Sequence, residues 1–230
     1  MRAVDAVVFD IGNVLIAWDP RRAVAAAVGD DEAARFLAAR DFDFAGWNHA
    51  QDGGRSWSDA EREAVAAFPH WREHILAYRT HFRRSMVGPI ASTVAVLEEL
   101  HEHGVPLFAL TNWSAELFPL AQEDYAFLAL FDDIVVSGEE GVAKPAPAIF
   151  DVLAERIGHP LDRCVFIDDG PANVAAARRA GLDAILFTGT DHLRSDLRER
   201  GLPLSPAPID GHAHRARATR PSSHTGSGAS

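Results

Sequence analysis

Four short groups of residues carry side chains able to do chemistry. Asp10 ends the apolar run Ala6-Val7-Val8-Phe9 and is followed by Ile11-Gly12-Asn13-Val14-Leu15. A carboxylate there can attack phosphorus and form an acyl phosphate, provided the charges of nucleophile and phosphate are neutralised; the plain alternative is a turn aspartate. Gly12 reads as the glycine that a tight turn requires. Asp168-Asp169 ends the run Cys164-Val165-Phe166-Ile167. Adjacent carboxylates at the end of a buried strand are costly unless paired or metal-bound. With Asp10 they make an oxygen-only site suited to Mg2+, which keeps several waters and holds substrate phosphates. Alternatively, one acid caps the helix that starts near Pro171 and the other faces solvent. Thr111-Asn112 follows the run Val105 to Leu110 and offers a hydroxyl, an amide and backbone N–H groups. It is read either as a phosphate cradle opening a helix near Ser114 or as a simple N-cap. Lys144-Pro145 follows Gly141-Val142-Ala143; a lone lysine is usually surface decoration, but aimed inward it would neutralise Asp10 and phosphoryl oxygens.

The elements holding these groups alternate. The three apolar runs are short and show no polar alternation, as strands buried on both faces of a parallel sheet do. Ile134-Val135-Val136 and Ala184-Ile185-Leu186-Phe187 are further strand candidates. Helical spacing covers residues 90–103, 147–157 and 172–180, each followed by a glycine (Gly104, Gly158, Gly181) suited to a C-cap. Such alternation predicts an α/β fold with a doubly wound, Rossmann-like parallel sheet. Ligands bind such sheets beyond the carboxyl ends of the strands, which is where all four groups fall.

Residues 19–86 interrupt the pattern with helices only, expected over 21–28, 31–40, 58–68 and 70–84. Ser58 with Glu61 reads as a capping box. The expected organisation is a core of 1–18 and 87–204, a helical cap of 19–86 over the strand ends, and a disordered tail of 205–230 rich in Pro, Ser, Gly and His. His70 and His74 share the spacing of a zinc pair, but no acid follows the first histidine, so a metal site is not expected. His101 and His103 are expected to be solvated. Phe42, Phe44 and Trp47 are expected to pack the helices rather than line a pocket.

The chain has 230 residues, 47% apolar and 24% charged, with a net charge of -11 and one cysteine, Cys164. Enough apolar material is present for a real core. The negative balance argues against nucleic acid, and an anionic substrate needs local positive charge. No signal peptide or membrane span is expected, so a cytoplasmic protein without internal disulfides is. The expected partner is a small phosphorylated metabolite, not nucleic acid or membrane, bound by a monomer or homodimer.

The order of these groups resembles the four motifs of the haloacid dehalogenase (HAD) superfamily, with the helical insert where subclass I members carry their cap. "FDIGNVL" is similar to the first motif of bacterial sugar-phosphate phosphatases. "VAKPAPAIF" and "FIDDGPAN" are similar to the N-terminal phosphatase domain of soluble epoxide hydrolases. The resemblance implies that Asp10 is nucleophile and magnesium ligand, joined by the Gly12 carbonyl and Asp169. Asp168 would orient metal-bound water or the lysine. Thr111 and Asn112 would bind the transferring phosphoryl group, Lys144 would neutralise charge, and Asn173 would support the metal loop. One departure stands out: most phosphatases of the superfamily carry an acid–base aspartate where this chain has Gly12. The function implied is magnesium-dependent hydrolysis of a small phosphate monoester, sugar phosphates included, through an aspartyl-phosphate. Two alternatives remain: a 2-haloacid dehalogenase, in which Asp10 attacks carbon without metal, and a catalytically weak HAD-like interaction domain.

Overall fold

The computed structural model describes residues 4–206. Strands β1 (Ala6–Phe9), β4 (Leu107–Thr111), β5 (Asp133–Val136), β6 (Cys164–Asp168) and β7 (Asp183–Leu186) form one parallel sheet in the order β5-β4-β1-β6-β7. β2 (Ile16–Trp18) and β3 (Met86–Pro89) pair separately as an antiparallel ribbon. From β1 the chain moves outward to β4 and β5, then returns across β1 to β6 and β7. That reversal opens a crevice at the carboxyl edge of β1.

Strand alternation divides the core. Val7, Phe9, Leu107, Ala109, Val165 and Ile167 belong to one apolar cluster, while Ala6, Val8, Phe108, Leu110, Cys164 and Phe166 belong to another. The helices Ala91–Glu102, Phe118–Asp124 and Thr190–Glu199 cover the first face; Pro147–Ile157 and Pro171–Ala180 cover the second. Burial on both faces explains why these strands read as continuous apolar runs. The caps follow the sequence: Gly158 and Gly181 are left-handed, at φ 67° and 103°, a conformation glycine adopts without penalty.

Between β2 and β3 lie helices only. They run Pro20–Val28, Asp30–Leu37, Phe44–Asp52, Trp57–Ala67 and Arg72–Thr80, with short 3-10 turns at Pro69–Trp71 and Phe82–Ser85. Three expectations need correction. The helix Phe44–Asp52, capped by Asp43 accepting from the Gly46 N–H at 3.0 Å, was not expected. The helix expected over 58–68 starts at Trp57, and its N-cap is Ser56, whose hydroxyl accepts from the Asp59 N–H. The single helix expected over 70–84 is broken into a regular helix flanked by the two 3-10 turns. As expected, Phe42, Phe44 and Trp47 pack within the helices, against Phe36, Phe68, Trp57 and Tyr78.

The insert is fastened to the core at several places. Its entry and exit form the β2–β3 ribbon. The Trp57 indole N–H donates to Ser114 Oγ at 2.8 Å, and the Trp57 backbone N–H donates to Glu116. The Ser137 hydroxyl donates to the Asp52 carbonyl at 2.6 Å. Close approach under the insert also demands glycine at 138, where a Cβ would sit 2.4 Å from the Ala115 nitrogen.

At the other end, Leu202 and Leu204 are buried, and Ser205 is held by Glu99 and Arg194. The tail expected to be unstructured from 205 lies, from residue 207 onward, outside the described residues. Among the described residues, no helix is long and apolar enough to cross a membrane.

Candidate active site

Register alone brings two carboxylates together. Phe9 pairs with both Ala109 and Ile167, so Asp10 and Asp168 come next on adjacent parallel strands, which lie roughly 4.8 Å apart. The Asp10 N–H donates to the Ile167 carbonyl at 2.8 Å, and Asp10 Oδ1 accepts from the Ile11 N–H at 2.7 Å. Two like charges so close and so buried need a counter-charge.

Lys144 supplies it. Its ammonium lies 3.0 Å from Asp10 Oδ1 and 2.7 Å from Asp168 Oδ2, and donates to the Leu110 carbonyl at 2.7 Å. The lysine faces inward and is 1% exposed. Asn112, thirty-two positions earlier, fixes its backbone by accepting from the Lys144 N–H at 2.8 Å and donating to the Lys144 carbonyl at 2.9 Å. Asp168 is held in turn, accepting from the Gly170 N–H at 2.7 Å and the Asn173 amide at 3.0 Å. Every hydrogen-bonding position of the ammonium is filled, the condition under which a buried ion pair is tolerated.

Burial pushes the Asp10 carboxyl up to about 7; Lys144 opposes the rise and Asp168 adds to it. Burial also raises Asp169, with Asp168 contributing. Burial works against the Lys144 charge, but Asp10 and Asp168 outweigh it and leave its pKa raised.

Above this network lies a cavity of about 170 Å³. Asp10, Gly12, Asn112, Lys144, Asp169 and Asn173 all line it. Asp168 is fully buried. Thr111 is buried at the end of β4, and its hydroxyl has no hydrogen-bond partner. The helix expected to open near Ser114 begins instead at Phe118, so Thr111-Asn112 is not its N-cap. What the sequence did not announce is the other wall. Trp18, Asn48, Asp52, Trp57 and Tyr78 come from the insert and its stem, and no local pattern says which helix face looks inward.

One oxygen from each of Asp10, Asp168 and Asp169 lies within 4.8 Å of the others; among the described residues no other three His, Cys, Asp or Glu side chains come together this closely. An oxygen-only set of this charge matches a hard cation. The histidine pair at 70 and 74 shares no ligand position: His70 meets Asp41 at 2.9 Å, while His74 packs against Trp71 with Glu32 3.5 Å away.

Gly12 corrects an expectation. Its φ is not left-handed; the positive φ of this turn, 54°, belongs to Asn13, and a Cβ on Gly12 would meet nothing within 4 Å. The turn does not need glycine there. Gly12→Ala is therefore expected to stabilise the fold by about 0.4–1 kcal/mol, because it restricts the unfolded chain. A lowered midpoint in chemical denaturation would contradict this.

The structure thus joins a parallel α/β sheet, an aspartate at its central strand end, a buried lysine and an acidic pair beside one cavity. The model of the haloacid dehalogenase-like hydrolases matches residues 4–181, and the chain belongs to that family. A sesquiterpene phosphatase, AstK of Aspergillus oryzae, is 25% identical over 84% of this chain and 95% of its own. A phosphatase of Mycobacterium tuberculosis is 35% identical over 50% of this chain and 53% of its own. In structure, a HAD family enzyme of Bacteroides thetaiotaomicron, solved with magnesium and inorganic phosphate, superposes with a TM-score of 0.66 at 19% identity, covering 83% of this chain and 99% of that one. The protein is thus a hydrolase whose curated relatives include phosphatases.

Proposed function

We propose that the protein is a magnesium-dependent phosphohydrolase that cleaves a small phosphate monoester through an aspartyl-phosphate on Asp10. The observation that carries this reading is the pairing of Lys144 with Asp10 Oδ1 and Asp168 Oδ2 beneath a cavity that Asp10 lines. Lysine holds the nucleophile's near oxygen, and Oδ2 accepts no hydrogen bond from any described residue.

The donor set fits Mg2+. Both oxygens of Asp168 are already bonded to Lys144, Gly170 and Asn173. Asp10, Asp169 and the Gly12 carbonyl would therefore hold the ion, with Asp168 as anchor of the lysine. When bound, the metal supplies positive charge against the phosphoryl oxygens. The chain's own residues do the rest. Asp10 attacks phosphorus, the Thr111 hydroxyl and the spare N–H of Asn112 hold phosphoryl oxygens, and Lys144 offsets the charge that builds up. Water then releases phosphate from Asp10. The helices of 19–86 act as a cap that limits water at this site. A cytoplasmic setting accords with the lone, buried Cys164 thiol.

For the organic part of the substrate, the cap wall is the guide. Trp18, Trp57 and Tyr78 of this wall, facing Trp113 of the core, give the cavity a largely aromatic surface, suited to an alcohol with exposed apolar faces, whether a hydrocarbon or a sugar ring.

Metal removal tests the reading. Turnover of a phosphate-ester panel that includes sugar and terpenyl phosphates is expected to vanish in EDTA and return with added Mg2+. Dehalogenation of a 2-haloacid that survives EDTA would instead establish attack on carbon.

A further inference from the structure

Gly12 leaves the site without an obvious group to protonate the departing oxygen. Among the described residues, one carboxylate outside the Asp10–Asp168–Asp169 cluster lines the same cavity: Asp52, at the carboxyl end of the helix Phe44–Asp52. Resting on the phosphohydrolase reading, we propose that Asp52 is the general acid and base of this site, delivered by the cap instead of by position 12.

Three observations support it. First, Asp52 is fixed over the site by its own backbone, since its carbonyl accepts the Ser137 hydroxyl at 2.6 Å, and Ser137 also accepts from the Trp113 N–H at 3.0 Å. The acid is tied to the end of β5, not left on a free helix terminus. Second, its carboxylate has little to keep it ionised. Among the described residues no cation pairs with it, and its side-chain partner is the Asn48 amide, which donates to Oδ2 at 3.3 Å. Third, its surroundings set its protonation. Burial pushes Asp52 up to about 7, and the charge of Lys144 limits the rise. From the neighbouring helix Arg72–Thr80 it faces Tyr78, a phenol that burial and the Asp52 charge keep protonated. Asp10 and Asp169 lie on the floor of the same cavity. A carboxyl poised near neutrality is suited to exchanging protons in both directions.

The steps balance. As an Asp10 oxygen bonds to phosphorus, the bond from phosphorus to the ester oxygen breaks, and that oxygen takes the Asp52 proton to leave as a neutral alcohol. A water then attacks the aspartyl-phosphate and gives a proton to the Asp52 carboxylate. The Asp10–phosphorus bond breaks, releasing inorganic phosphate, the Asp10 carboxylate and a reprotonated Asp52.

The test is Asp52→Asn assayed with Mg2+ on two esters, an alkyl monophosphate and p-nitrophenyl phosphate, whose phenolate leaves without a proton. On the alkyl ester kcat/KM is expected to fall about 10²–10³-fold. On the nitrophenyl ester kcat/KM should stay within about threefold, while kcat drops and a stoichiometric burst of nitrophenolate reveals stalled aspartyl-phosphate. The fall of wild-type kcat/KM on the alkyl ester as pH rises through about 7 should disappear in the variant. Equal losses on both esters, or no loss on either, would overturn the assignment. Should the variant not fold, the wild-type enzyme decides alone: a shallow dependence of kcat/KM on leaving-group acidity is expected, and a steep one rejects an acid at this site. Absence of any Asp10-dependent turnover in the wild type is a different result, and it would remove the phosphohydrolase reading itself.

Discussion

Asp10→Asn is expected to lower kcat/KM on every phosphate ester by about 10⁴-fold or more while leaving the protein folded, since removal of a covalent nucleophile removes the route and not merely a contribution to it. The amide keeps the shape of the carboxylate and can still accept from the Ile11 N–H and from Lys144, whose distances to Oδ1 are 2.7 and 3.0 Å. It also removes a buried negative charge from a site where Asp168 and Asp169 already repel it. Thermal stability should therefore stay level or rise. A variant retaining more than a tenth of wild-type activity would mean that the attacking group lies elsewhere.

Lys144→Met should show the largest effect on stability. Methionine fills similar volume but strands Asp10 and Asp168 as buried carboxylates without a counter-charge, and breaking such a pair from one side costs about 3–5 kcal/mol. For a chain of this size each kcal/mol shifts the melting midpoint by about 2–4 °C, so a fall of about 6–20 °C is expected. Its pH dependence has a definite sign. Asp10 already stands near 7 in the folded protein against an ordinary 3.8, and loss of the lysine removes a charge that holds it down. A carboxyl raised in the folded state favours folding below its unfolded pKa, and that advantage is lost as pH rises through the folded value. The deficit should accordingly shrink on acidification from pH 8 towards about 5. Melting curves with equal midpoints for the two proteins at pH 8 would show that the pair is not a structural keystone.

Much of the core was legible because its chemistry is local. Residues 6–9 and 164–167 are apolar throughout, as buried parallel strands must be, and each run is followed at once by its acid, Asp10 and Asp168. The glycines after residues 103, 157 and 180 closed helices where expected. What depends on distant partners was not legible. Asn112 looked like a helix cap, yet its amide serves the Lys144 backbone, a partner no window of sequence contains. Ser56 and Ser58 each stand three residues ahead of an acid, Asp59 and Glu61. The structure selects Ser56; Trp57 is then within the helix, with its indole on Ser114. The helix Phe44–Asp52 carries Gly46 in its first turn and four aromatic or amide side chains, a composition that obscured its period. Asp52 drew no expectation, because its helix drew none; only the fold sets it in the wall of the cavity that Asp10 lines.

The aromatic wall has a double duty with consequences for how this enzyme can change. Trp57 and Tyr78 bound the cavity, yet each is only 1% exposed and both belong to the apolar cluster that continues down to Phe9. Truncating such a side chain costs about 3–5 kcal/mol, a large share of the 5–15 kcal/mol that typically holds a domain together. Selectivity and robustness are thus written in the same residues. New substrates would be reached through compensated pairs of substitutions, or through rim positions such as Asn48, rather than by carving the wall directly.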